Sequence, residues 1–129
     1  MNKLFIILII FSFQAGKAQT LKCTEMHTGK FELKHDNSPA VSIIERTDTL
    51  QIETNEYLKV KRSYKVIWID DCTFELHDRK VLEGETPING KPTDVLTIEI
   101  IKIDGQNVYI RLSSNYSDMV RETVMTKIN

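Results

Sequence analysis

The chain has 129 residues, with 17 Lys and Arg against 18 Asp and Glu, so its formal net charge is −1. This length fits one small domain. The near balance of charge and the lack of a basic stripe leave no electrostatic footprint for nucleic acid, so we expect no nucleic-acid partner.

The first 18 residues have the pattern of a signal peptide. Lys3 gives a short positive start, and residues 4–13 form an apolar run of about ten, whereas a transmembrane helix needs about twenty. Gly16 and Ala18 are spaced like the small residues before a cleavage site, which predicts cleavage after Ala18. The sequence therefore predicts a signal peptide over 1–18, a single β domain over 19–129 without a transmembrane segment, and export to the periplasm or the extracellular medium.

Two cysteines, Cys23 and Cys72, lie in the predicted mature chain. In an exported protein such a pair predicts a disulfide. The alternative is a lipid anchor at Cys23, but lipoproteins carry small and apolar residues immediately before the acceptor cysteine, and here Lys22 stands in that position. We therefore expect the disulfide and no anchor.

From residue 29 onward, apolar and polar residues alternate with a period of two. The pattern predicts about eight strands, near 29–34, 41–46, 50–54, 63–69, 72–77, 95–103, 108–113 and 120–128. Residues 79–94 are predicted to be the longest irregular stretch, holding a small hairpin at Asn89-Gly90 or a lid over a pocket. The basic run 59–62 is typical of a solvated edge strand.

Short connections favour an all-β antiparallel meander, which must close or fold over to bury its apolar face and protect its edges. We expect a lipocalin-like barrel or half-barrel of about eight strands. A two-sheet β-sandwich is the alternative.

The arrangement of structural residues is also familiar. The chain carries a Cys23…Gly29-Lys-Phe31 segment and, further on, Trp68-Ile-Asp-Asp-Cys72-Thr-Phe74-Glu-Leu76. This pattern resembles a family of short exported bacterial β-rich proteins of unknown function. Its members often carry the name of a DNA topoisomerase IV subunit, an activity that the small size of this chain and its lack of a basic stripe exclude. The resemblance implies a fold and export, but no activity.

No set of residues predicts catalysis, a metal or a cofactor. His27, His35 and His77 lack the spacing of a zinc site and are interpreted as ordinary surface residues. Adjacent Asp70 and Asp71 are interpreted as turn formers, because paired catalytic carboxylates normally come from different strands.

Seven residues either line a ligand pocket or fill the core of the barrel. A filled core is favoured, since side chains can close the interior of an eight-stranded barrel completely. The seven are Phe31, Tyr64, Val66, Trp68, Phe74, Ile98 and Ile110.

The sequence alone does not identify a function, but it favours a non-enzymatic exported binding module for a small apolar ligand. The ligand would lie at the open end of the barrel or under residues 79–94. The alternative is an interaction or structural protein of the envelope, with a filled core and either an exposed apolar patch or an unpaired strand near 59–62. An enzyme is not expected, because no titratable groups are predicted to converge in a cleft.

Overall fold

The computed structural model describes residues 21–84 and 91–129, and the predicted signal peptide lies outside them. The described residues form one short 3-10 helix, Cys23–Met26, and eight strands. The strands β1 to β8 are Gly29–Lys34, Val41–Arg46, Leu50–Asn55, Val60–Asp70, Thr73–Glu83, Leu96–Asp104, Asn107–Ser114 and Arg121–Lys127.

The strands form a closed antiparallel barrel in simple chain order. Each strand pairs with the next, and β8 pairs with β1. The predicted all-β meander and its barrel are confirmed, consistent with the lipocalin-like outline, and the two-sheet alternative is not what forms. Among residues 21–84 and 91–129, no helix has the length and hydrophobicity needed to span a bilayer.

Alternation along the strands decides which side chains enter the barrel. On β2, Ser42, Ile44 and Arg46 are buried, whereas Ile43 and Glu45 between them are more exposed. Because successive side chains of a strand point to opposite faces, one face of each strand supplies the core. The core therefore follows directly from the period-two pattern of the sequence.

Two seams hold the barrel closed, and both lie toward the same end. The pairing of β8 with β1 involves three residue pairs, from Phe31↔Lys127 to Leu33↔Met125. The pairing of β5 with β6 involves four, from Thr73↔Glu99 to Leu76↔Leu96. Beyond these short seams the two walls, β1–β5 and β6–β8, are not joined by strand pairing among the described residues.

The barrel consequently has two different ends. The closed end carries the turns β2–β3, β4–β5 and β6–β7 together with the 3-10 helix. The open end carries the turns β1–β2 and β3–β4 and the longer connections β5–β6 and β7–β8.

Two predictions about the β4–β5 hairpin are wrong. Residues 79–83, predicted to be irregular, continue β5, and the basic run 59–62 is not an edge, since Val60–Arg62 pair with β3 on one side and Lys61 and Arg62 with β5 on the other. The reason is the length of β4, whose 11 residues offer a template along which β5 extends past the seam with β6. Residues 85–90, which include the predicted Asn89-Gly90 hairpin, lie outside the described residues.

Candidate functional site

The closed end is sealed by the N-terminal segment. The 3-10 helix buries Cys23 and Met26 against the core. Four contacts hold this segment to the barrel: the disulfide Cys23–Cys72, and hydrogen bonds from Arg46 Nη1 to the Met26 carbonyl (3.2 Å), from Lys127 Nζ to the Glu25 carbonyl (2.8 Å) and from His27 Nε2 to the Asp71 carbonyl (2.7 Å).

A stack of rings and one guanidinium group lies beneath this seal. His27 stacks on Trp68 with ring centroids 3.5 Å apart, and Trp68 contacts Phe74 at 4.6 Å. The Arg46 guanidinium lies 4.4 Å from the Phe74 centroid and 4.8 Å from that of Phe31, in cation–π geometry. Burial lowers the pKa of Arg46 to about 10. The rings and the guanidinium group at this end therefore pack directly against one another.

The open end holds a cavity of about 280 Å³, which we call the cup. Its walls come from β2, β3, β4 and the turns β1–β2 and β3–β4. The lining residues are His35, Ser38, Ala40, Ser42, Glu53, Asn55, Leu58, Val60 and Arg62. The cup thus combines an apolar wall with hydrogen-bonding and charged groups, the mixture typical of small-molecule sites.

A hydrogen-bonded group forms one wall of the cup. Ser42 is 1 % exposed, and its Oγ lies 2.9 Å from His35 Nε2. Asn55 Nδ2 donates to the same Oγ at 3.4 Å, and Asn55 Oδ1 accepts from the Leu58 amide at 2.9 Å. Asn55 therefore ties the β3–β4 turn to the floor of the cup, which fixes the wall before any ligand arrives.

Charged groups form the adjoining wall. Glu53 and Arg62 are directly opposite each other in the β3–β4 register, and both charges act on the nearby Tyr64 hydroxyl. Burial and then the negative charge of Glu53 raise the pKa of Tyr64, while the charges of Arg62 and Arg79 act to lower it. The pKa of the buried Tyr64 hydroxyl therefore depends on the charges around the base of the cup.

A β-bulge brings Arg79 toward this group. Lys65 pairs with His77, but Ser63 pairs with Lys80, so two β5 residues face Tyr64. Asp78, within the bulge, has a φ of 50°, in the left-handed region that Asp tolerates better than most residues. A bulge of this kind re-aims the side chains beyond it, and here it moves Arg79 to the side where its charge acts on Tyr64.

The seven residues that the sequence predicted for a pocket or a core all belong to the packed interior. Six are buried in the core cluster, and Trp68 is partly buried against it. None of them is among the residues that line the cup. The six are Phe31, Tyr64, Val66, Phe74, Ile98 and Ile110.

Sequence reasoning missed most of the cup. No motif in the sequence links Ser42 to His35, seven residues away, yet the two side chains share a hydrogen bond. Ser42 lies two residues before the apolar Ile44, so strand alternation was the available indication that it points inward. Arg62 follows the same rule, two residues before Tyr64, but a charged residue at an inward position is easily taken for a surface residue.

The three histidines do not converge. His77 contacts Glu75 at 3.1 Å, whereas His27 and His35 lie at opposite ends of β1. Within residues 21–84 and 91–129, no three His, Cys, Asp or Glu side chains are grouped as a metal ion would require.

The fold and the cup together define a small disulfide-linked up-and-down β-barrel with one sealed and one open end. No protein-family model matches the sequence, and the searches of curated proteins and of solved structures gave no match either. The resemblance to the family of short exported bacterial proteins therefore stays a prediction from the sequence.

Proposed function

We propose that this domain is an exported, non-enzymatic binding module that takes a small ligand in the cup. The observation that carries the proposal is a cavity of about 280 Å³ with converging polar groups, in a barrel whose seven predicted pocket residues are all packed in or against the core. The sequence favoured an apolar ligand. The cup supports a ligand that has a polar group as well as apolar surface, because its walls offer both.

Export is supported by the disulfide, since such bonds form and persist in oxidising compartments. The same bond argues against a lipid anchor, because it uses the Cys23 sulfur to which the lipid would be attached. A periplasmic or extracellular location follows from this proposal.

A non-enzymatic role is supported by the position of Ser42. A serine nucleophile must reach its substrate and be activated by a base. His35 supplies a base, but Ser42 is almost fully buried and also accepts a hydrogen bond from Asn55. The Ser42–His35 contact is therefore best explained as part of the wall of the cup.

Native mass spectrometry of the protein, gently purified from its own export compartment, tests the proposal. We expect an added mass that is lost on denaturation. Leu58→Trp should fill the mouth of the cup and remove the added mass. Tyr57→Trp is the matched control, since Tyr57 is equally exposed in the same turn but does not line the cup. An added mass that persists in Leu58→Trp would place the ligand elsewhere.

A second candidate function is favoured by the rim of the open end. Its connections expose several large apolar side chains, each more than half exposed: Tyr57, Leu58, Tyr116, Met119 and Val120. Such side chains suit a protein interface of the envelope. If the wild-type spectrum shows a bound protein instead of a small ligand, and Met119→Ser with Val120→Ser removes it while Leu58→Trp does not, the interaction role replaces the binding module.

A further inference from the structure

The charges of the cup indicate what kind of ligand it takes. We propose that the cup binds a small organic anion whose carboxylate is held by Arg62, an inference that rests on the proposed binding function. Three observations support it: the hydrogen bonds still open to Arg62, the excess of donors in the walls, and the size of the cavity.

Arg62 has capacity for a carboxylate. A guanidinium group carries five N–H donors in a planar fork that matches a carboxylate. Glu53, although opposite in register, forms no ion pair with Arg62. Within the described part of the chain, Arg62 thus lines a partly enclosed cavity without a carboxylate bound to it.

The other polar groups of the cup are mainly donors or are already engaged. A neutral His35 has one ring N–H, which is free when Nε2 accepts from Ser42, and Asn55 Nδ2 has a second N–H besides the one that it donates to Ser42. Among the lining residues that belong to 21–84 and 91–129, Glu53 is the only carboxylate. A ligand with an acceptor group is therefore better matched than a ligand with a cationic group.

The apolar wall and the volume limit the rest of the ligand. Ala40, Leu58 and Val60 supply the apolar surface. A cavity of about 280 Å³ is near the lower limit of roughly 300 Å³ for small-molecule pockets. The ligand is thus a compact monocarboxylate with one apolar face.

Benzoate, benzyl alcohol and benzylammonium are suitable probes, because they share a ring and differ in charge. Each is titrated into the folded, oxidised mature domain and followed by the amide resonances of Ala40, Ser42 and Leu58. We expect saturable shifts with benzoate and at least tenfold weaker binding of the other two. Arg62→Gln should weaken benzoate at least tenfold, and Arg62→Lys should have a smaller effect.

Lys61→Gln is the matched control. It removes the same charge from the neighbouring position of β4, whose side chain points to the opposite face. Benzoate should bind this variant like the wild type. A dispersed amide spectrum of Arg62→Gln shows that the variant remains folded.

Three outcomes overturn the anion assignment while leaving the binding function intact. The first is that benzyl alcohol binds as tightly as benzoate, and the second is that Arg62→Gln binds benzoate like the wild type. The third is that benzylammonium binds best and that Glu53→Gln removes this binding. If no probe shifts the cup resonances but the native added mass is still lost in Leu58→Trp, the anion class is again wrong and the binding module stands. If no probe shifts the cup resonances and native mass spectrometry shows no added mass that Leu58→Trp removes, the binding function itself is refuted.

Discussion

The two ends of the barrel are built from the same kind of element but differ in the contacts that their side chains make. Both consist of antiparallel strands joined by turns. At the closed end, a disulfide, a ring stack and several hydrogen bonds from distant segments converge on one 3-10 helix. At the open end, the β5–β6 and β8–β1 seams have ended and the side chains surround a cavity.

This difference separates stability from function within one small domain. The contacts of the closed end join segments that are far apart in the chain. Removing these contacts should therefore weaken the pairing of β8 with β1 and of β5 with β6. The open end has no disulfide, and its hydrogen bonds join neighbouring turns and strands, such as those from the Leu58 amide to Asn55 and from Asn115 Nδ2 to the Thr93 carbonyl. The residues of the open end can therefore suit a ligand without a large loss of stability, as is common for loops carried by a rigid scaffold.

The disulfide gives the largest expected difference between the ends. Cys23 and Cys72 are separated by 49 residues, and closing a loop of this size stabilises a fold by about 4 kcal/mol on the chain-entropy model. The double variant Cys23→Ser/Cys72→Ser should lose roughly that free energy of unfolding, measured by denaturant titration. Reductant should lower the stability of the wild type and have no effect on the variant. A variant as stable as the oxidised wild type would contradict this role.

Two arginines at opposite ends give the next largest difference. Arg46→Met removes the donors that Gln51 Oε1 and the Met26 carbonyl accept from, at 2.9 and 3.2 Å, together with the contact to two aromatic rings. Leaving buried acceptors unpaired costs about 1–3 kcal/mol each, so the loss of two partners should cost about 2–6 kcal/mol.

Arg62→Met is the matched variant at the open end. Arg62 lines a cavity and is not fully buried, so its loss should cost less than about 1 kcal/mol. Chemical denaturation of both variants measures the contrast. Equal losses would mean that the open end contributes to stability as much as the closed end does.

The closed end could largely be predicted from the sequence, and the open end could not. Period-two alternation and cysteine count are local or compositional features, and they were enough to predict the strands, the barrel and the Cys23–Cys72 bond. The buried rings Phe31 and Phe74 followed from the same alternation.

The open end, including the cup, depends on features that alternation does not encode. The position of Arg79 results from a bulge at Asp78, which shifts the β4–β5 register. The contact of His35 with Ser42 depends on how the β1–β2 turn folds back over β2. The length of β5 depends on a neighbouring strand and not on its own residues. Each of these is a tertiary effect, so a sequence pattern alone could not place them.

Tyr64 gives the smallest and most local test, because its ring lies in the core while its hydroxyl meets the charges of the open end. Burial and Glu53 raise its pKa above the value of about 10 for an unfolded chain. Its contribution to stability is therefore fully present below about pH 10 and is lost as the pH rises through the folded-state pKa.

Tyr64→Phe should accordingly lower stability near neutral pH by no more than about 1 kcal/mol, and it should flatten the loss of stability above about pH 10. Denaturant titrations across the alkaline range measure the slope, and ultraviolet difference spectra follow tyrosine ionisation. Tyr57→Phe, which removes an exposed hydroxyl, should keep the wild-type slope. If Tyr64→Phe also keeps that slope, the hydroxyl does not sense the charges of the cup, and the division between a packed end and a charged end does not extend to this residue.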